Sequence, residues 1–365
     1  MLTARRLLIT VHCLLLLLSS CSPAPQTPTT NILNIIRLSP PALVQFSEDL
    51  TQLAELPLSF PSDCGLYDIF PPPRGTILAV ELSCSFGQAV LFLDTETGSV
   101  TQAFPQADSH FLAWTANSTA IFLRVDSAAS PRIVRVNVDT LKTDDIPITE
   151  FTYDLSTKPD SFDFTFTFSR GFGFGSEIFL AKNDGRIVQL LYPDPLNYIS
   201  FARWSPNGKQ IAFIKIPDSQ TPFTIGELWI MDADGSNASK LADVDAGHGY
   251  AVNWSPDGSR IAFVVRENAE DVSANNLADA LISNIYFLDI STNEITQVTN
   301  FSEGRAETPH WSPDGNNLFF TRVLNDKMEV QVKSVGRVGD EPYRDPEEIK
   351  AFWTEPACCV SWMRK

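Results

Sequence analysis

The sequence predicts an all-β fold, a β-propeller of four-stranded antiparallel blades closed by its C-terminal strand. Three observations predict it. A segment ending in Trp, then a Ser-Pro-Asp-Gly type of turn, then an apolar Ile-Ala-Phe type of segment recurs, with the tryptophans at 204, 254 and 311. Self-similarity at such a period means stacked or radially arrayed units. The 25 prolines and 18 glycines are spread along all 365 residues, and charged residues are only 19%. Many turns and few charged helical faces follow. Hydrophobic residues make up 44% of the chain, enough to bury a sizeable core.

The first element is a targeting segment. Arg5 and Arg6 precede an apolar run, Leu7 to Leu18, then Ser19, Ser20 and Cys21. The run is short for a membrane span and small residues close it, so residues 1–20 read as a signal peptide. Leu18-Ser19-Ser20-Cys21 resembles a bacterial lipobox. That resemblance implies that the Cys21 thiol receives a diacylglyceryl group and becomes the new N-terminus. Residues 22–31, SPAPQTPTTN, carry no charge and almost no apolar side chain. They cannot form a core, so 21–31 read as lipid anchor and flexible tether. Residues 32–63 are expected to be a lead-in packed on the propeller, and 64–365 the propeller itself.

The repeat is readable unit by unit. Residues 203–213 are RWSPNGKQIAF, 253–263 are NWSPDGSRIAF and 310–320 are HWSPDGNNLFF. The Trp segment is an inner strand. In the turns, Pro206, Pro256 and Pro313 preset φ, Asp257 and Asp314 can bond their own backbone, and Gly208, Gly258 and Gly315 supply positive φ. The following segment is apolar on both faces, as a strand buried between sheets should be. A third strand such as Glu227 to Met231, the turn Asp232-Ala233-Asp234-Gly235 and a fourth strand near Ser239 to Leu241 complete a unit. Such a unit buries its faces only against its neighbours. These residues resemble the TolB-like propeller repeat, most closely over 199–365.

Earlier units are degenerate. Trp114 with Ile121-Phe122-Leu123 fits one blade, with Thr115-Ala116-Asn117 in place of the usual turn. Residues 150–191 fit another, with alternation over Phe162 to Phe168 and an outer turn at Asn183-Asp184-Gly185. Thr76 to Leu82, Ala89 to Asp94 and Val100 to Phe104 fit the first. The count is six blades, and seven stays open because residues 32–60 can supply extra strands. In VSWMRK, Trp362 ends a strand with no following partner in its own repeat. It is expected to pair with Thr76 to Leu82 and so close the ring, as the TolB resemblance also implies.

Besides Cys13 and Cys21, the chain has Cys64, Cys84, Cys358 and Cys359. Export permits disulfides. A bond between adjacent Cys358 and Cys359 is strained, so the two pairings that join the start of the propeller to its end are expected.

The formal net charge of −17 repels phosphate, so nucleic acid is excluded as a partner. No Gly-x-Ser-x-Gly elbow, Walker loop, dinucleotide fingerprint or His-Glu-x-x-His motif is present. His110, His248 and His310 lie in or just before inner strands and are weak metal candidates, because their offsets from the nearest Trp differ. Trp204, Trp254, Trp311 and Trp362 read as blade-to-blade packing. The expectation is an exported lipoprotein on the extracytoplasmic face of the bacterial envelope, held to the membrane by its N-terminal lipid. It would need no cofactor, would not be an enzyme, and would bind an envelope or extracellular protein or peptide. A carbohydrate-active enzyme or a sugar- or peptide-binding protein with a channel site is the alternative. The inserts Arg266 to Ser283 and Gly336 to Glu348 are candidate partner loops.

Overall fold

The computed structural model describes residues 31–105, 108–127, 130–148, 151–171, 173–217, 224–246, 252–325, 327–336, 349–355 and 357–364. The signal peptide, Cys21, His248 and residues 337–348 of the second insert lie outside the described residues, as does the side chain of Cys358.

The strands fall into seven four-stranded antiparallel sets. Blade 2 runs Cys64–Phe70, Ile77–Cys84, Gly87–Asp94 and Val100–Gln102. Blade 3 runs Asp108–Trp114, Ala120–Asp126, Arg132–Asn137 and Thr143–Ile146. Blade 4 is Thr152–Thr157, Phe164–Phe168, Ser176–Ala181 and Ile187–Asp194. Blade 5 is Asn197–Trp204, Gln210–Pro217, Ile225–Asp232 and Ser239–Asp245. Blade 6 is Asn253–Trp254, Arg260–Arg266, Ser283–Asp289 and Ile295–Gln297. Blade 7 is Arg305–Trp311, Asn317–Leu324, Lys327–Ser334 and Lys350–Trp353. One parallel bridge, Ser283 to Arg305, joins blades 6 and 7 at their edges.

Burial explains the composition of each strand. Second strands are covered on both sides, so Ile77–Cys84 buries Leu78 through Leu82 and Arg260–Arg266 buries all but Val265. Outer strands face water: Thr143, Asp144 and Asp145 are exposed, as are Ile187 through Leu190. Seven apolar clusters fill the gaps, each shared by two successive blades. Between blades 4 and 5, for example, Ile178 and Leu191 meet Trp204, Ile211 and Phe213. The seventh cluster joins the last blade to the first through Phe319 and Val330 against Leu33, Val44 and Val360. Seven blades with seven shared cores form a closed ring, so the larger of the two expected counts is the one found.

Closure differs from the expectation in one respect. Residues 32–63 are not a lead-in beside the propeller. Asn31–Leu38, Pro41–Phe46 and Gln52–Pro57 are three strands of blade 1, and Ala357–Arg364 is its first strand. Trp362 stands opposite Leu33, not against Thr76 to Leu82. The reason is burial. Asn31–Leu38 buries Ile32 through Ile36, so it is a central strand that needs a partner on each edge. Ile77–Cys84 already has Cys64–Phe70 on its inner edge.

The disulfide expectation is corrected as well. Cys64 and Cys84 face each other across adjacent strands of blade 2 and are bonded to one another. Neither reaches the C-terminal strand. Cys359 is disulfide-bonded to another cysteine. It sits at the bulge between the Ile35 and Ile36 pairings with φ 65°.

The repeat turns behave as their chemistry requires. Gly208, Gly258 and Gly315 each return their N–H to the Ser carbonyl three residues back, at 2.8 Å. The Ser255 and Ser312 hydroxyls donate to Asp257 and Asp314, both at 2.6 Å. Blade 3 keeps the same turn with other residues: Thr115 donates to Asn117 at 2.9 Å, and Ser118 takes the glycine position at φ 60°.

Candidate functional site

The first strands of blades 1 and 2, of 3 and 4, of 4 and 5, and of 6 and 7 approach one another. Those of blades 2 to 5 line a cavity of about 750 Å³. Its acidic and basic side chains are Asp68, Glu81, His110, Arg124, Asp154 and Arg203. Its aromatic wall includes Phe70 stacked on Phe111, ring centroids 4.1 Å apart, and Tyr67, which is 60% exposed.

Two of these groups neutralise each other across a blade boundary. Arg203 Nη1 lies 2.8 Å from Asp154, and Asp154 also accepts the Ala202 N–H at 3.0 Å. Next to it, Tyr153 donates to the Ile199 carbonyl, and burial pushes its phenol well above the ordinary range. The other side of the cavity keeps excess negative charge. Burial raises the Asp68 carboxyl to about 6; the Ile69 N–H opposes that rise, and the Glu81 charge adds to it. Asp68 and Glu81 are direct cross-strand partners, which places two carboxylates side by side. Tyr67 is also raised, by burial first and then by the Glu81 and Asp68 charges.

Glu81 is 4% exposed and accepts the Phe111 N–H at 3.2 Å. His110 Nδ1 lies 3.3 Å from it, and this contact is the main reason the imidazole is raised. The other ring nitrogen, Nε2, faces Asp108 at 3.4 Å and Asp126 at 3.7 Å. Arg124 donates to Asp126 at 2.9 Å, and the Gln88 N–H donates to Asp108 at 2.7 Å.

The histidines do not gather into one site among the described residues. His110 belongs to the cavity, whereas His310 of blade 7 contacts Asn253 at 3.3 Å and is lowered by burial to about 4. The repeat tryptophans are buried alike: Trp204, Trp254 and Trp311 are 6%, 8% and 5% exposed. Trp254 donates to the Arg203 carbonyl, Trp311 to that of Asn253 and Trp114 to that of Phe70, each on the preceding blade. Trp362 packs edge-on against Phe319, with centroids 5.6 Å apart. These residues hold blades together. Asp234, Asp257 and Asp314 accept hydrogen bonds within their own turns. In the first insert Ala274 and Leu281 are fully buried, so part of that loop is core. The sequence reading missed Tyr67, Asp68, Glu81, Asp108, Arg124, Asp126, Asp154 and Arg203. The visible signal was Asp108-x-His110, two side chains on one face of a strand; Asp126 joins them only through strand register.

No family model matches the chain. In sequence it is similar to the uncharacterized peptidase YuxL of Bacillus subtilis, 26% identical over 148 residues, which cover 34% of this chain and 22% of that protein. It is also similar to dipeptidyl-peptidase 5 of Porphyromonas gingivalis, 34% identical over 73 residues, 20% of this chain and 10% of that one. The chain thus matches less than a quarter of either relative's length. Among solved structures it is similar to an oligogalacturonate lyase in complex with manganese, at 15% identity and TM-score 0.56, covering 88% of each chain. The propeller of the trilobed protease from Pyrococcus furiosus gives 13% identity and TM-score 0.53, covering 76% of this chain and 86% of that one. TolB from Acinetobacter baumannii gives 17% identity and TM-score 0.49, with 83% and 77% covered. The likeness to the Pyrococcus propeller bears out the fold class that the repeat implied. The expectation that the chain is not an enzyme is corrected: two of its sequence relatives are named peptidases.

Proposed function

We propose that this chain is a membrane-tethered envelope lipoprotein, anchored through Cys21, whose propeller binds a peptide or protein segment at the cavity formed by blades 2 to 5. The observation that carries this reading is the cavity itself. Polar groups from four blades converge on it beside an exposed aromatic ring. A concave site with a few fixed polar groups is the usual form of a binding pocket. Tyr67 offers a large rigid contact at little conformational cost. The net charge favours a ligand that is neutral or basic. The test is a photo-crosslinking residue at Tyr67 in the full chain, in cells. A crosslink to an envelope protein or peptide supports the reading, and its loss on Arg203→Ala assigns it to the cavity. Crosslinking only to lipid, or none, rejects it. Mass spectrometry of the mature N-terminus tests the anchor, and an unmodified residue 21 rejects it.

Asp68 favours a second reading. A carboxyl with a pKa of about 6 can give or take a proton near neutral pH. On this reading the cavity turns over its ligand, and the sequence relatives' names suggest peptides as substrates to try. Peptide turnover that is lost in Asp68→Asn supports it; no turnover, or turnover that survives Asp68→Asn, rejects it.

A further inference from the structure

We infer that Asp108, His110 and Asp126 form a divalent-cation site at the edge of the cavity. One ligand atom from each lies within 4.8 Å of the others. The sheet builds this arrangement. Asp108 and His110 are two apart on one strand and so share a face. Asp126 stands directly opposite Asp108 on the next strand. The strand pairing itself therefore positions all three, without a loop.

The second observation is the partner on the far side of the imidazole. Glu81, buried and fixed by the Phe111 N–H, lies against Nδ1. A carboxylate on one ring nitrogen sets the tautomer and leaves the other lone pair free for a metal. Here that other nitrogen, Nε2, points at two aspartates. Arg124 offsets one of them, Asp126, and negative charge remains. Metal–ligand distances of about 2.0–2.3 Å put neighbouring ligand atoms roughly 3 Å apart. The gaps of 3.4 and 3.7 Å from Nε2 therefore close with small rotations of half-exposed side chains. That partial exposure also leaves room for water or a ligand oxygen on the ion. One imidazole with two carboxylates suits Mn²⁺ or Zn²⁺ better than Mg²⁺. The inference goes beyond the peptide-binding reading, because it concerns the chain with no ligand.

The experiment is titration of the metal-free full chain with Mn²⁺, followed by electron paramagnetic resonance and thermal unfolding. Saturable binding of one ion is expected, with a rise in Tm and displacement by Zn²⁺. Asp126→Asn and His110→Ala should abolish both signals. Glu81→Gln, which alters only the outer partner, should weaken binding about 10–100-fold. Asp68→Asn and Tyr67→Ala should leave Mn²⁺ binding intact, so failure here and failure of the peptide reading are distinguishable. Matched near-ultraviolet circular dichroism establishes that each variant is folded. Equal Mn²⁺ affinity in wild type and Asp126→Asn would overturn the inference. So would a His110 ring that titrates identically with and without Mn²⁺, which would make the cluster an imidazolium ion pair only.

Discussion

Blades 5 to 7 and blades 2 to 4 use the same architecture for different ends. In blades 5 to 7 the first strand ends in Trp, the turn is Ser-Pro-Asp-Gly or Ser-Pro-Asn-Gly, and the second strand opens on an apolar Ile-Ala-Phe or Leu-Phe-Phe run. In blades 2 to 4 only Trp114 keeps the first feature. Thr157 takes the Trp position in blade 4, where its hydroxyl donates to the Trp114 carbonyl at 2.9 Å. The regular blades supply Phe201 and Arg203 to the cavity, and the irregular ones supply Asp68, Glu81, His110, Arg124 and Asp154. Repetition marks the part of the ring that is scaffold, and departure from repetition marks the part that supplies most of the cavity's charged groups.

The largest difference between the two halves is expected at the Trp position. Trp311→Ala removes a buried ring and its hydrogen bond to blade 6, and should cost about 3–5 kcal/mol in chemical denaturation. Thr157→Ala at the matching place should cost about 1 kcal/mol. Equal losses would mean that the two halves are held together alike. Next comes the disulfide, which closes a loop with a sequence separation of 20. Cys64→Ser with Cys84→Ser should cost about 3 kcal/mol in chemical denaturation under oxidising conditions. A smaller effect is tied to pH. The Asp68 pKa is raised to about 6 from 3.8. The native state therefore holds its proton more tightly than the unfolded chain does. The stability from this site is fully present below about pH 4 and lost as pH rises through about 6. The change is about 1–3 kcal/mol, and Asp68→Asn should flatten it in denaturation midpoints measured from pH 4 to 7. The smallest expected effect on stability is that of Tyr67→Ala, within about 0.5 kcal/mol because the ring is exposed. The crosslinking or binding readout should nonetheless fall.

Local chemistry was legible in the sequence, and long-range pairing was not. The Trp-Ser-Pro-Asp-Gly turns could be read because Ser255, Asp257 and Gly258 bond within five residues. A seventh blade stayed only an open count, and its pairing escaped, because its first strand lies more than 300 residues from Asn31 and no Trp marks its remaining strands. The cysteine pairing escaped for a related reason: Cys64 and Cys84 meet because an unremarkable segment, Cys64–Phe70, is the inner strand of blade 2. The cavity was hidden twice over. Asp126 and Glu81 come to His110 through register and blade contact, and neither carries a motif of its own.

The joint in blade 1 also sets a schedule. Every other blade is complete once its own four consecutive strands have emerged, but the Asn31–Leu38 strand waits for residues 357–364 before its inner edge is covered. Until then its backbone donors and acceptors stand open to any passing strand. The earliest part of the ring to be synthesised is therefore the last to be sealed, and it is where strand exchange between two nascent copies would begin.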